Sequence, residues 1–114
     1  MAAIRTLEQF EFHHVLEQTP GLSLVMFTAA ACGSCRRFKA VLSEYLERYR
    51  DLHVFEVDTE RDLALTREFG VFHLPALFLF VDGRYHGAVQ SEAHPERLRD
   101  ALQARLAAPA EEAP

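Results

Sequence analysis

The segment LVMFTAAACGSCRRFKAVL, residues 24–42, carries the two cysteines of the chain at the junction of an apolar run and a helical pattern. The apolar run, residues 22–27, predicts a buried strand. From Cys32 to about Arg50, apolar residues recur every three or four positions, which predicts one long amphipathic helix. Cys32 and Cys35 therefore share one face at the start of this helix, where they can form a disulfide with little backbone movement.

The start of a helix also favours a thiolate on Cys32. The first turn leaves backbone N–H groups without partners and carries the positive end of the helix dipole, and both stabilise a negatively charged sulfur. A free cysteine has a pKa of about 8.5, whereas a thiol in a Cys-x-x-Cys motif can have a pKa of about 7. We therefore expect the pKa of Cys32 to be lowered.

The composition describes one globular domain. The chain has 114 residues, 49% of them hydrophobic, and nine phenylalanines, which suffice for a single core. Its net charge is −5 and no basic face is evident, so neither nucleic acid nor a membrane surface is indicated as a partner. The N-terminus resembles neither a signal peptide nor a membrane span, and we expect a cytoplasmic protein. In a reducing compartment, neighbouring cysteines indicate redox chemistry or metal binding.

The rest of the chain alternates between strand and helix patterns. Strands are predicted at residues 4–7 and 52–57, helices at 8–18 and 60–70, and a hairpin at 71–89 that turns at Asp82-Gly83. A last helix starts near Pro95, and the residues predicted to face inward are Leu98, Ala101, Leu102 and Leu106. This order predicts an α/β fold, with a mixed central sheet of four to five strands and helices on both faces. Residues 1–107 form the predicted domain, and residues 108–114 are predicted to be a disordered tail.

With these motifs, the chain resembles the thioredoxin family from about Ile4 to Ala107. The resemblance rests on the Cys-Gly-Ser-Cys motif after a strand, on FGVFHLPALFLFVDG (residues 69–83) and on the final amphipathic helix. It implies a thioredoxin fold in which Cys32 is the nucleophile, Cys35 is the buried resolving thiol, and a cis Leu74–Pro75 bond packs against the pair. It further implies a monomeric thiol-disulfide oxidoreductase without cofactor or metal. Such an enzyme acts on protein disulfides and is regenerated by a thioredoxin reductase or another thiol reductant.

Residues around the cysteines are the candidates for substrate binding. Pro75 has no N–H to donate to a sheet, which leaves the backbone of Leu74 free to pair with an extended substrate strand. The resemblance adds Ala31, Gly33 and Ser34, which flank the cysteines.

Five positions depart from the family pattern. They are Ala31 for Trp, Ser34 for Pro, Ala40 for a kinking Pro, Ser91 for Gly, and Met26 for a buried Asp beneath the cysteines. The strand at residues 52–57 also lacks the Lys that usually pairs with that Asp. An apolar floor at Met26 removes the usual proton acceptor for Cys35, and burial raises the pKa of that thiol. His73, two residues before Pro75, is the candidate replacement.

Two other interpretations remain open at this stage. The first is that the cysteines bind a metal ion. A structural zinc site needs four ligands, however, and two cysteines with one histidine of the same chain do not supply them. The second is a thioredoxin-fold binding or chaperone-like module whose cysteine pair is sensory or incidental. The missing Trp and buried acid support this interpretation, because a fold does not by itself determine a function. The retention of Pro75 together with both cysteines favours the enzyme.

Overall fold

The computed structural model describes residues 3–114, which form five strands and four helices. In chain order, these are β1 (Ile4–Thr6), α1 (Phe12–Glu17), β2 (Leu22–Thr28), α2 (Gly33–Arg48), β3 (Leu52–Asp58), α3 (Leu63–Glu68), β4 (Ala76–Val81), β5 (Arg84–Val89) and α4 (Pro95–Ala107). This is the α/β order predicted from the sequence. None of the helices within this part of the chain is long and apolar enough to cross a membrane.

The five strands form one mixed sheet with the order β1-β3-β2-β4-β5. The strands β1, β3 and β2 are parallel, whereas β4 is antiparallel to β2 and β5 is antiparallel to β4. The prediction of a mixed sheet is therefore confirmed, with five strands. β2 is the central strand and is buried on both faces, which explains its uninterrupted apolar sequence.

The two faces of the sheet carry separate hydrophobic clusters. Leu24 and Met26 of β2 pack with α2 and α4, whereas Val25 and Phe27 pack on the opposite face with α1 and α3. The second cluster is rich in phenylalanine, and the rings of Phe27 and Phe78 meet edge to face with centroids 5.5 Å apart. Because α2 is held against the sheet by its buried face, its first turn is fixed at the carboxyl end of β2.

Two element boundaries differ from the sequence prediction. The first helix begins at Phe12 and not at residue 8. The residues of the predicted first turn form hydrogen bonds outside a helix. The N–H of Glu8 donates to the Glu11 carboxylate (3.1 Å), and the N–H of Gln9 donates to Asp62 (3.2 Å). The strand β4 begins at Ala76, directly after Pro75, so the preceding residues of the predicted hairpin form a loop.

The last helix buries a slightly different face from the predicted one. Leu98 and Leu102 are buried and Ala101 packs against the same core, but Leu106 is 37% exposed. The prediction for Leu106 was therefore wrong. Two helical turns span about seven residues, so position 105, and not 106, lies on the same buried face of the helix as Leu98. The Arg105 side chain is accordingly only 17% exposed.

The C-terminal segment is attached to the sheet at least as far as Glu111. The backbone N–H of Glu111 donates to the carbonyl of His86 (2.8 Å), and its carboxylate accepts from the N–H of Ala88 (2.8 Å). The same carboxylate forms an ion pair with Arg105 at 2.9 Å. These contacts cover the outer edge of β5 and differ from the disordered tail predicted for residues 108–114.

The turn between β4 and β5 provides a prediction about stability. Gly83 has a φ of +79°, and a Cβ there would lie 2.7 Å from the carbonyl oxygen of Leu16. Gly70 has a similar φ of +61° but open space around its Cα, and it is the matched control. We expect Gly70→Ala to cost about 1–2 kcal/mol for the left-handed backbone, and Gly83→Ala to cost about 1–3 kcal/mol more because of the clash. Equal free energies of unfolding in urea would contradict the packing part of this expectation.

Candidate active site

The two cysteines form a disulfide at the start of α2. Their Cα atoms are 5.2 Å apart, within the ordinary range for a disulfide. Cys32 is half-buried and directly precedes the helix, whereas Cys35 lies in the first turn and is only 1% exposed. An attacking or attacked sulfur from another molecule can therefore reach Cys32 but not Cys35.

Backbone geometry around Cys32 stabilises negative charge on its sulfur. Cys32 is the N-cap residue of α2, and its Sγ accepts a hydrogen bond from the N–H of Cys35 at 3.1 Å. The guanidinium of Arg36 donates to the carbonyl of Ala30 at 3.1 Å and so braces the loop before Cys32. An N–H of the first helical turn is thus already directed at the sulfur that is predicted to be the nucleophile.

The structure brings the helix start and the Leu74–Pro75 segment together. The Leu74–Pro75 peptide bond is cis. The hydroxyl of Ser34 lies 3.3 Å from the carbonyl oxygen of Leu74 and 3.4 Å from Sγ of Cys32. The Leu74 carbonyl, which the sequence predicts to be free for a substrate strand, therefore accepts a hydrogen bond from Ser34 in the disulfide form.

A groove of about 380 Å³ lies beside the cysteine pair, between α2, the end of the Leu74–Pro75 segment and β5. We call it the active-site groove, and its lining includes Ser34, Arg37, His73, Pro75, Val89 and Ser91. Ser34 connects the groove to the sulfur of Cys32, whereas Ala31 and Gly33 lie outside its lining. The groove is concave and largely apolar, which suits a side chain of an extended polypeptide.

An exposed aromatic side chain stands next to this groove. Phe72 is 84% exposed, and its ring meets the ring of His73 edge to face with centroids 5.1 Å apart. His73 itself is exposed and borders the groove. The sequence prediction missed Phe72, although an apolar residue in the loop before a candidate active-site proline is a detectable signal.

A carboxylate lies on the face of the sheet beneath α2, which the sequence prediction also missed. Glu56 of β3 is the register neighbour of Met26, and its side chain is 16% exposed. One carboxylate oxygen lies 3.1 Å from Nζ of Lys39, and the other accepts from the hydroxyl of Thr28 at 2.7 Å. Met26 is fully buried as expected, but the floor beside it is not purely apolar.

The position of Glu56 relative to the cysteines follows from helix geometry. Lys39 is four residues after Cys35 on α2, so the two side chains occupy neighbouring positions on one helical face. The ion pair with Lys39 therefore holds the Glu56 carboxylate under the first turns of the helix. The sequence of β3 could have predicted this position of Glu56. Successive side chains of a strand point to opposite faces, so Glu56 shares the inward face of the strand with Leu52 and Val54.

Within residues 3–114, no three His, Cys, Asp or Glu side chains come together in a way that would hold a metal ion.

A solvent-accessible and a buried cysteine at the head of a helix, beside a proline that directly precedes an antiparallel strand, define a dithiol domain of the thioredoxin-fold class. The Thioredoxin family model matches residues 3–104. The chain therefore belongs to the thioredoxin family.

Several curated proteins are similar in sequence. Thioredoxin from Alicyclobacillus acidocaldarius subsp. acidocaldarius is 34% identical over 83 residues, which cover 72% of this chain and 78% of that protein. Thioredoxin Y2, chloroplastic, from Arabidopsis thaliana is 31% identical over 82% of this chain and 59% of its own length. NADPH-dependent thioredoxin reductase 3 from Arabidopsis thaliana is 29% identical over 63% of this chain. The chain spans 59% of the chloroplastic thioredoxin and 14% of the reductase, which is less than two thirds of either Arabidopsis protein.

Two solved structures show the same fold. A chain from a study of the thiol resolving mechanism in yeast mitochondrial 1-Cys peroxiredoxin via glutathione/thioredoxin systems superimposes with a TM-score of 0.76 and 22% identity. The match covers 90% of this chain and 95% of that one. The zinc-bound form of human ERp44 also gives a TM-score of 0.76, with 17% identity over 90% of this chain and 31% of ERp44. The thioredoxin fold predicted from the sequence is confirmed.

Proposed function

We propose that this protein is a thiol-disulfide oxidoreductase that reduces or exchanges protein disulfides through Cys32 and Cys35. The observation that carries the proposal is the unequal exposure of two bonded cysteines at a helix start, with Cys32 accessible and Cys35 only 1% exposed. Such an arrangement separates an external attack at one sulfur from an internal attack by the other. Membership of the thioredoxin family supports the same chemistry.

The proposed reaction passes two electrons from the dithiol to the substrate. The Cys32 thiolate attacks one sulfur of a substrate disulfide, forms a mixed disulfide and releases the other substrate sulfur as a thiolate. Cys35 then loses its proton and attacks Sγ of Cys32. This second step forms the Cys32–Cys35 disulfide, breaks the mixed disulfide and releases the second substrate thiolate. Both substrate thiolates take up protons according to their pKa values.

The proton of Cys35 needs an acceptor, and we propose Glu56 for this role. Its carboxylate is held beneath α2 by Lys39 and Thr28, and it is only 16% exposed. A carboxylate at this place accepts the proton directly or through one water molecule. His73, the acceptor proposed from the sequence, borders the groove on the exposed side of the site. It is the competing candidate.

Substrate contacts are proposed for both rims of the site. Leu74 and Pro75 offer backbone and ring surface, and Ala31, Gly33 and Ser34, next to the cysteines at the helix start, are the other proposed contacts. We add Phe72, whose exposed ring supplies an apolar surface that the chain lacks at Ala31.

Partners and setting follow from the same chemistry. The proposed substrates are protein disulfides, and the proposed reductant is a thioredoxin reductase or another thiol compound. The similarity to an NADPH-dependent thioredoxin reductase supports the choice of reductant. A monomer in the cytoplasm, where thiol reductants keep a dithiol reduced, is the proposed form.

The proposal is tested by adding the protein to insulin and dithiothreitol and following the turbidity of the reduced insulin chains. We expect a clear acceleration over dithiothreitol alone, because the Cys32 thiolate attacks faster than a thiol with an ordinary pKa. The control is the same protein after reduction and alkylation with iodoacetamide. A rate equal to this control would contradict the enzyme and favour the binding or chaperone-like module.

A further inference from the structure

The hydroxyl of Ser34 stands between two acceptors that it cannot serve at the same time. Its oxygen lies 3.4 Å from Sγ of Cys32 and 3.3 Å from the carbonyl oxygen of Leu74. In the disulfide form neither acceptor has a hydrogen to donate, and a serine hydroxyl has only one. The two contacts therefore compete for a single proton.

Within residues 3–114, the Leu74 carbonyl has no other hydrogen-bond donor. It takes part in neither the strand ladders nor the other backbone hydrogen bonds of the described chain. The bond from Ser34 is also long, since the usual O–H···O distance is about 2.7–2.8 Å. A partner that offers a backbone N–H, or a stronger acceptor for the hydroxyl, can therefore replace this bond at low cost.

Reduction of the disulfide creates such an acceptor. Two electrons and two protons from a dithiol reductant convert the Cys32–Cys35 disulfide into two thiols, and the reductant becomes a disulfide. Cys32 then releases its proton to solvent and becomes a thiolate. A hydrogen bond to an ionised group is roughly twice as strong as one between neutral groups, so the hydroxyl turns from Leu74 to Cys32.

We propose that Ser34 is a redox-controlled gate for substrate docking. In the disulfide form its hydroxyl occupies the Leu74 carbonyl, which is the acceptor available to an extended substrate strand. In the dithiol form it donates to the Cys32 thiolate and releases that carbonyl. The reduced protein then binds an extended polypeptide carrying a disulfide more tightly than the oxidised protein does, so docking is stronger when electrons are available. The role of the gate in substrate docking rests on the proposed function, but the movement of the hydrogen bond can be observed without catalysis.

The sequence permits a direct measurement at this carbonyl. Leu74–Pro75 is the only Leu-Pro pair in the chain, so labelling leucine with ¹³C at the carbonyl and proline with ¹⁵N isolates one NMR resonance. We expect this resonance to move upfield on reduction of the wild type, as the carbonyl loses its donor. In Ser34→Ala it should already be upfield in the oxidised form and stay there on reduction. Ser34→Thr, which retains a hydroxyl, should behave like the wild type.

Two further measurements test the hydrogen bond from Ser34 to the Cys32 thiolate and its occupation of the Leu74 carbonyl separately. Ser34→Ala should raise the pKa of Cys32 by about one unit, measured by thiolate absorbance, because one hydrogen bond to a charged group is lost. Oxidised Ser34→Ala should bind S-methylated insulin B chain about two- to tenfold more tightly than oxidised wild type, and the two reduced proteins should differ less.

The outcomes separate this gate from the enzyme itself. A Leu74 resonance that does not respond to reduction in the wild type, or that responds equally in Ser34→Ala, would overturn the gate even if insulin is reduced at the expected rate. An unchanged pKa of Cys32 or unchanged peptide affinity in Ser34→Ala would likewise overturn it. Loss of insulin reduction in the wild type, with the resonance shift intact, would overturn the proposed function alone.

Discussion

Cys32→Ser is expected to lose the reduction of protein disulfides by at least about a thousandfold, because it removes the accessible thiol of the cysteine pair and leaves only the buried Cys35. Cys35→Ser is expected to lose turnover as well, but for a different reason. In this variant Cys32 still attacks, and the mixed disulfide then persists because no second sulfur resolves it. The two variants should therefore have similar activities and opposite products.

Non-reducing electrophoresis and mass spectrometry distinguish these products. Cys35→Ser should accumulate a covalent adduct with oxidised insulin that disappears on reduction, whereas Cys32→Ser should accumulate none. The matched control is the Cys32→Ser/Cys35→Ser double variant. Faster alkylation of Cys35 than of Cys32 at neutral pH in the reduced wild type would contradict the assignment of the two roles.

Glu56→Gln is expected to slow the resolution of the mixed disulfide by about a hundredfold, because an amide cannot accept the proton of Cys35. The amide retains the size of the side chain and can still accept the hydrogen bond from Thr28, which makes the variant nearly isosteric. Stopped-flow measurement of the second step in single turnover gives the rate directly. His73→Gln is the matched control on the exposed side of the site. A slow His73→Gln with a normal Glu56→Gln would transfer the proton-accepting role to His73.

Met26→Asp tests the same resolution of the mixed disulfide by adding a carboxylate, whereas Glu56→Gln removes one. A carboxylate at position 26 lies beside Glu56 in the sheet register, so the two acids repel and one of them holds a raised pKa. We expect faster resolution at pH 7 and a loss of stability of roughly 2–5 kcal/mol, since Met26 is fully buried. Met26→Leu, which conserves volume, should cost less than about 1.5 kcal/mol and leave the rate unchanged. Rates are compared on folded protein, and equal resolution in Met26→Asp and Met26→Leu would contradict the expectation.

The sequence alone was sufficient for the fold class and for the cysteine pair. Hydrophobic periodicity is a local property, and the run at residues 22–27 with the helical pattern after Cys32 placed both cysteines at a helix start. The Asp82-Gly83 turn likewise marked the hairpin, because few residues adopt a positive φ without strain. Such signals depend on neighbours along the chain, which the sequence states directly.

The tertiary structure alone decided which side chains meet across the site. Glu56 and Lys39 are on different elements, and their ion pair depends on how α2 lies over β3. Ser34 and Leu74 are forty residues apart, and only the docking of the Leu74–Pro75 segment against the helix start joins them. The attachment of Glu111 to β5 has the same origin, because its polar sequence predicts disorder when no partner strand is considered. Contacts between distant residues depend on packing in three dimensions, and neither periodicity nor composition encodes that packing.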